Sequence, residues 1–486
     1  MGTVCTSAPP GIAKEPAVKE HDHFQELLDT LVKHSGIGQE VLGDVMARTS
    51  LRAPQETSRM EIAAGYPTAR RPRDRGEIAQ GTVSKAVKAL MDEGLLEDGE
   101  KLLRTPDGRI LSPLRLGSLY ATAGVKVIQE KEQPRQVTAV LVGLDSSHVL
   151  GRRDDTADSW DQVADLIYRH VTSLRDAADR KRANDGLPPL RMLGIGVEVG
   201  APVHDGQVMP LPRGKARQPV PLAEKLHRLF EADPDFGRLI PVIVENDVNA
   251  LAVLAIHEVR YTDPDLVVVG VFDEGVGGGL VMDGRLRRGG NGRAMEIGHL
   301  AVGFAPGQDT AQNRSGTGFS ARCSCGQLGH VDTLATPSRM VEAFGHGTLE
   351  QISKIDARDG EFKRAQEVLT RGGAALGRAL AHVSNTANPN RVIMYLPPCL
   401  VAAEREPDTA GAAYLTAMRT EVARAFAASD EPDYVRIRAF SPDPQEVSLL
   451  GARAAAVCVL ESFIEHALRL DGCRSVPRRG SQAPAA

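Results

Sequence analysis

The sequence lacks a run of apolar residues long enough to cross a bilayer, and its first residues lack the apolar core of a secretory leader. Residues 1–19 hold Cys5, Pro9 and Pro10 among scattered charges and read as a disordered tail. No membrane partner is expected. The sequence also lacks a positive excess. Its 58 Lys and Arg stand against 63 Asp and Glu, a net charge of -5, so any nucleic-acid surface must be local. Cysteine is scarce. Six are scattered over 486 residues, two of them in Cys323-Ser324-Cys325, which suits a reducing cytoplasm and a metal rather than a disulfide framework. What is present is 42% apolar residues, ample for a core, in a chain long enough for more than one domain.

The most informative stretch is residues 289–332. It begins Gly-Gly-Asn-Gly, passes Glu296-Ile297-Gly298-His299 and closes on Cys323-Ser324-Cys325-Gly326-Gln327-Leu328-Gly329-His330-Val331-Asp332. His299, Cys323, Cys325 and His330 supply four ligands, enough for a closed tetrahedral zinc site, and a closed site is structural. The glycines let the backbone turn tightly around an ion. The alternative is two free thiols and two ordinary histidines. Cys-x-Cys followed by a ligand five residues on favours zinc.

This stretch resembles the signature of the ROK family of bacterial repressors and sugar kinases. That family carries Glu-Ile-Gly-His and then Cys-x-Cys-Gly-x-x-Gly-Cys-x-Glu. Here His330 stands for the last cysteine and Asp332 for the glutamate, and a longer loop, 307–319, separates His299 from Cys323. The resemblance covers most of the chain after about Leu116. It implies a two-lobed actin-like ATPase (ribonuclease H-like) fold with ligand between the lobes.

The residues before that point, 20–116, read as a DNA-binding domain. Phe24, Leu27, Leu28 and Leu31 have helical spacing, a short helix follows at 41–46, and Ser58 can cap another with Met60, Ile62 and Ala63. A basic loop, 70–75, comes next. In 82–91, Val83, Val87 and Leu90 share one helical face, while Thr82, Ser84, Lys85 and Lys88 lie largely off it. Residues 102–111 read as a hairpin turning at Pro106-Asp107-Gly108. Three helices and a hairpin make the order of a winged helix-turn-helix. Small polar and basic groups on its last helix suit a major groove, and Arg104 and Arg109 suit phosphates. The alternative is a helical dimerisation module with a solvated basic face.

From 117 to 472 strands and helices alternate, which makes an α/β domain. Strands are expected at 137–144, 193–199, 240–244, 266–272, 279–282, 392–395 and 434–440. Helices are expected at 160–181, 249–259, 362–388, 409–428 and 447–470. Residues 473–486 read as a second disordered tail. Within the domain, Glu245-Asn246-Asp247 sits where a strand gives way to a helix, a common place for ligand groups. By the resemblance, Asn246, Asp247, Glu296, His299 and Asp332 would line a sugar pocket, with Asp247 the general base in a kinase. His299 can serve twice, one ring nitrogen on zinc and the other toward ligand. The alternative for Asn246-Asp247 is a plain helix cap.

Phosphoryl transfer needs a cradle of backbone N–H groups. The family's kinases provide it with Asp-x-Gly-Gly-Thr. The matching place here, Gly124-Val125-Lys126-Val127-Ile128-Gln129-Glu130-Lys131, has no paired glycines. Asp273 and Glu274 stand in the second phosphate loop, and Leu396-Pro397-Pro398-Cys399 replaces glycines on the adenosine side. No ATP is therefore expected. The expectation is a cytoplasmic ROK regulator, a dimer or larger homo-oligomer binding operator DNA and a sugar effector. The alternatives are a ROK sugar kinase with an added N-terminal domain and a regulator that has lost its ligand.

Overall fold

The computed structural model describes residues 80–99, 103–104, 110–111, 113–129, 134–146, 148–210, 218–234, 236, 240–259, 264–302, 322–425 and 434–472, together with Val41. The helices expected before residue 80 lie outside these, save Val41. So do the arginine loop, Arg109, the 307–319 loop and both tails.

Helix α1, Gln80–Asp92, buries Val83, Ala86, Val87 and Leu90 on one face and exposes Ser84, Lys85 and Lys88, with Thr82 half-buried. The apolar spacing thus selects the face it was expected to select. Gly94, at φ 76°, ends the helix in the left-handed conformation. Leu95 N–H donates to Leu90 O (2.8 Å) and Gly94 N–H to Met91 O (2.9 Å), satisfying carbonyls the helix leaves open. Strand β1, Leu96–Asp98, follows; β2, Leu103–Arg104, and β3, Ile110–Leu111, form the expected hairpin; β4, Leu114–Leu116, pairs antiparallel with β1. The β1–β4 pair was not anticipated. Three-residue strands are too short to display alternation.

Two five-stranded sheets follow. The first holds β5 (Tyr120–Ile128), β6 (Arg135–Gly143), β7 (Val149–Ala157), β8 (Arg191–Val199) and β11 (Val242–Asn246), in the order β11-β8-β5-β6-β7. A small hairpin, β9 (Val203–His204) and β10 (Gln207–Val208), interrupts the numbering. The second sheet holds β12 (Leu266–Val271), β13 (Val276–Met282), β14 (Arg285–Leu286), β15 (Arg391–Leu396) and β16 (Val435–Ala439), in the order β14-β13-β12-β15-β16. In each sheet the first strand is central. An antiparallel meander runs to one side and two parallel strands to the other. The two lobes therefore repeat one topology. Strand β7 escaped the sequence reading because this edge strand carries Arg152, Arg153, Asp154 and Asp155 rather than an apolar face. Gly277 to Gly279 lie inside β13.

The larger helices are α2 (Trp160–Asn184), α3 (Leu222–Glu231), α4 (Asp247–Val259), α5 (Pro337–Phe344), α6 (Phe362–Ala387), α7 (Ala412–Ala425) and α8 (Pro444–Gly472). Each lobe has its own apolar core. A third cluster joins them, with Val248, Ala252 and Ile256 of α4 packed among Val268 and Ile393 of the second sheet and Ala454 and Val457 of α8. Helix α8 lies directly on the first sheet. A Cβ on Gly124 or Gly196 would fall 1.9 Å from the carbonyl oxygen of Ala452 or Ala455, so only glycine permits that approach. Farther along α8, Val459, Leu460 and Phe463 join one buried cluster with Val83, Val87 and Leu90 of α1.

Candidate functional site

The lobe built on the first sheet is lobe I and that on the second is lobe II; the carboxyl ends of β5, β8 and β11 carry the polar half of lobe I. Asn246 ends β11, and its side-chain oxygen accepts from the N–H groups of Val248 (3.0 Å) and Asn249 (3.3 Å). Its amide nitrogen donates to Ala201 O at 3.2 Å. Asn246 is thus a helix cap, the plainer of its two readings, and its side chain also hydrogen-bonds Asp247. Asp247 opens α4, accepts from Val248 N–H (2.8 Å) and keeps part of its surface open. Burial raises its pKa above the ordinary value, with Lys126 opposing the rise.

Three neighbours of Asp247 were given no role by the sequence reading. Glu245 is 2% exposed and fully engaged: it accepts from Asn249 Nδ2 (3.0 Å) and from Arg288 Nε (2.6 Å). Arg288 follows β14, so this ion pair ties lobe II to the end of β11. Lys126 and Glu198 stand opposite each other in the β5–β8 register and form a buried ion pair. A signal existed in the sequence: one charge near the carboxyl end of each of two largely apolar strands.

Lobe II brings its candidates together around a turn of 3-10 helix, Ile297–His299. The donors of His299, Cys323, Cys325 and His330 all lie within 4.8 Å of one another. Cys323 Sγ is 3.3 Å from His299 Nδ1, and Cys325 Sγ is 3.4 Å from His330 Nδ1. The nitrogen–sulfur edge of a tetrahedral zinc site is about 3.5 Å from the usual bond lengths, so this donor set fits the ion. Burial, with His299 beside it, lowers the pKa of His330 and favours the neutral imidazole that a metal requires. The backbone builds the turn: Cys323 N–H donates to Gln327 O and Gly326 N–H to Cys323 O, both at 2.8 Å. His299 Nε2 remains directed toward Glu296, 4.0 Å away, and both side chains are partly exposed. Asp332 follows the metal turn, and one of its oxygens accepts from Val276 N–H at 2.8 Å. That bond fastens the metal turn to the β12–β13 hairpin.

The expected nucleic-acid groups Ser84, Lys85 and Lys88 are exposed on α1, with Thr82 half-buried, and Arg104 lies in β2. At the expected nucleotide positions, Gln129 follows β5, Asp273 and Glu274 are exposed in the β12–β13 turn, and Pro397 caps a short helix, Pro398–Ala402.

The ROK family model matches residues 137–395, more than half of the chain. The chain belongs to the ROK family. Its relatives include both kinds of member. It is 25% identical to a glucokinase of Halalkalibacterium halodurans over 248 residues, 46% of this chain and 67% of that protein. It is 22% identical to the DNA-binding transcriptional repressor Mlc of Escherichia coli over 337 residues, 66% of this chain and 75% of that protein. Among solved structures, a ROK family transcriptional regulator described as a homologue of E. coli MLC superposes with a TM-score of 0.60 at 18% identity, covering 89% of this chain and 99% of the other. The paired lobes of this ROK chain therefore have the actin-like ATPase fold. Among the described residues no helix is long and apolar enough to cross a membrane.

Proposed function

We propose that this ROK chain is a DNA-binding transcriptional regulator that senses a sugar or sugar derivative without phosphorylating it. The observation that carries the reading is the cluster shared by α1 and α8. Helix α1 turns Ser84, Lys85 and Lys88 outward while its buried face packs on Val459, Leu460 and Phe463. The same helix α8 lies on the strands that bear Lys126 and Glu198 and packs on α4, which opens at Asp247. A ligand in the cleft would touch Asp247, Glu296, His299 and Asp332. By preferring one placement of the lobes it would change the population of one placement of α1. Zinc, held by His299, Cys323, Cys325 and His330, would fix the turn that presents His299 and Asp332. A two-fold dimer would read a palindromic operator with the winged helix-turn-helix of residues 20–116, in the cytoplasm.

A sugar kinase is the second reading, because Asp247 matches the general base of the family's kinases and kinases are among the relatives. Against it stand two exposed acids in the β12–β13 turn and prolines at 397 and 398, which offer no N–H. The test uses the full chain. Selection from genomic fragments at low salt should recover a palindromic site. Lys85→Ala or Lys88→Ala should weaken binding and flatten the log–log salt slope by about one unit if the lost contact is to phosphate. Failure to retain any DNA would end the regulator reading, and sugar-dependent ADP release from ATP that is lost in Asp247→Asn would put the kinase in its place.

A further inference from the structure

The charges at the ends of β5, β8 and β11 form a group of their own. Lys126 Nζ meets Glu198 Oε1, and the two side chains are 11% and 1% exposed. The second oxygen, Glu198 Oε2, is buried with no hydrogen-bond partner. Helix α8 roofs the pair: a Cβ on Gly451 would lie 2.5 Å from Glu198 Oε2 and 2.6 Å from Lys126 Cδ. Asp247 is the third member: it directly follows β11, whose Asn246 pairs with Val199, the neighbour of Glu198 in β8, and its field acts on the ammonium. Burial works against the charge on Lys126, but Glu198 and Asp247 together raise its pKa above the ordinary lysine value.

The group therefore holds two carboxylates and one fixed cation. A buried carboxylate beside a half-buried one is hard to keep ionised without a positive neighbour. A phosphotransferase meets that need with a divalent ion, which also carries the nucleotide phosphates. Here the ammonium is covalently present, and helix α8 closes over the pair.

We propose that Lys126 is a specificity-determining residue of the cleft: held by Glu198 beside Asp247, its ammonium takes the role of a divalent cation and so denies the cleft a metal-bound nucleotide. This rests on the sensor reading above. It explains how Asp247 can be kept for ligand binding where no metal-borne phosphoryl group arrives.

The experiment measures Mn2+ binding by electron paramagnetic resonance on the zinc-loaded full chain, without DNA or nucleotide. Wild type should bind no Mn2+ that depends on Asp247. Lys126→Asp, which makes three carboxylates, should gain a Mn2+ site roughly tenfold or more tighter than any wild-type binding, since affinity follows ligand charge. Lys126→Met keeps most of the buried stem and should gain a weaker site. It serves if the aspartate variant does not fold. Each gain should disappear when Asp247→Asn is added. Wild-type Mn2+ binding abolished by Asp247→Asn would overturn the proposal, as would folded Lys126 variants that bind no more Mn2+ than wild type. The readout is metal binding and not turnover, so this proposal can fail while the regulator stands.

Discussion

The two lobes share a strand order and differ in how each holds its half of the cleft. In lobe I the polar groups belong to the sheet itself. Lys126 and Glu198 face each other across β5 and β8, Glu245 and Asn246 end β11, and Asp247 follows directly. Their geometry is set by strand register and by the weight of α8. In lobe II the sheet ends contribute no charge of that kind: β12 ends in Val271 and β15 in Leu396. The polar groups come instead from the 3-10 turn at Glu296–His299 and from the 322–332 turn, neither of which has a sheet to define it. A duplicated topology has thus been furnished twice by different means, register on one side and a candidate metal on the other. That fits the general finding that chemistry is grafted onto a fold rather than dictated by it.

The widest separation between the lobes should come from removing metal. Purified protein should carry about one zinc per chain, as four protein ligands and no open position imply. Cys323→Ser or Cys325→Ser should bring that content close to zero. Lobe I should be spared, because its partners are strand neighbours. Elemental analysis gives the stoichiometry, and hydrogen exchange resolves the lobes. Protection should fall around 297–302 and 322–335 and hold in β5, β8 and β11. Freshly purified, unchelated protein without zinc would remove the contrast. Equal loss of protection in both lobes would show that the cleft is one cooperative unit.

The converse attack is on α8. Gly451→Ala puts a methyl group against Glu198 Oε2 and Lys126 Cδ, and overpacking of this kind costs about 1–3 kcal/mol. A Cβ on Gly360 would have nothing within 4 Å, and its φ is not left-handed, so Gly360→Ala should stay within about 0.5 kcal/mol of wild type. Urea denaturation of both variants gives the comparison. If the two glycines respond alike, the charged pair in lobe I is softer than its enclosure suggests.

The sequence exposed these two constructions unequally. The cluster of possible metal donors was legible because three of the four lie within one short segment, joined by His299, and ligand spacing is a local pattern. The hairpin β2–β3 and the apolar face of α1 were legible for the same reason. The Lys126–Glu198 pair was not, since its members are 72 residues apart and meet only through strand register. Asn246 illustrates the opposite difficulty. Its type and place suited both a ligand contact and a cap, and only the hydrogen bonds to Val248 and Asn249 give it the cap. Strand β7 was lost because an exposed edge needs no apolar face.

The smallest expected effect concerns Asp247, which stands where lobe I passes into α4. Burial raises its folded pKa above the unfolded value of about 3.9, against the pull of Lys126. A raised carboxylate favours folding fully only while it is protonated in both states. Its contribution is complete below the unfolded pKa and is lost as pH rises through the folded value. At neutral pH the ionised Asp247 therefore costs stability. Asp247→Asn removes that cost, keeps an oxygen for Val248 N–H and leaves Glu198 to hold Lys126. The variant should be more stable than wild type near pH 7, by about 1 kcal/mol or less, as is common when a binding-site group is neutralised. The difference should shrink as pH falls through the raised folded pKa and be gone below the unfolded value of about 3.9, where Asp247 is protonated in both states. Thermal melts of both proteins across that range test it. A variant less stable at pH 7 would mean that Lys126 needs both carboxylates. Lobe I would then be built around the ammonium rather than around the strands that carry it.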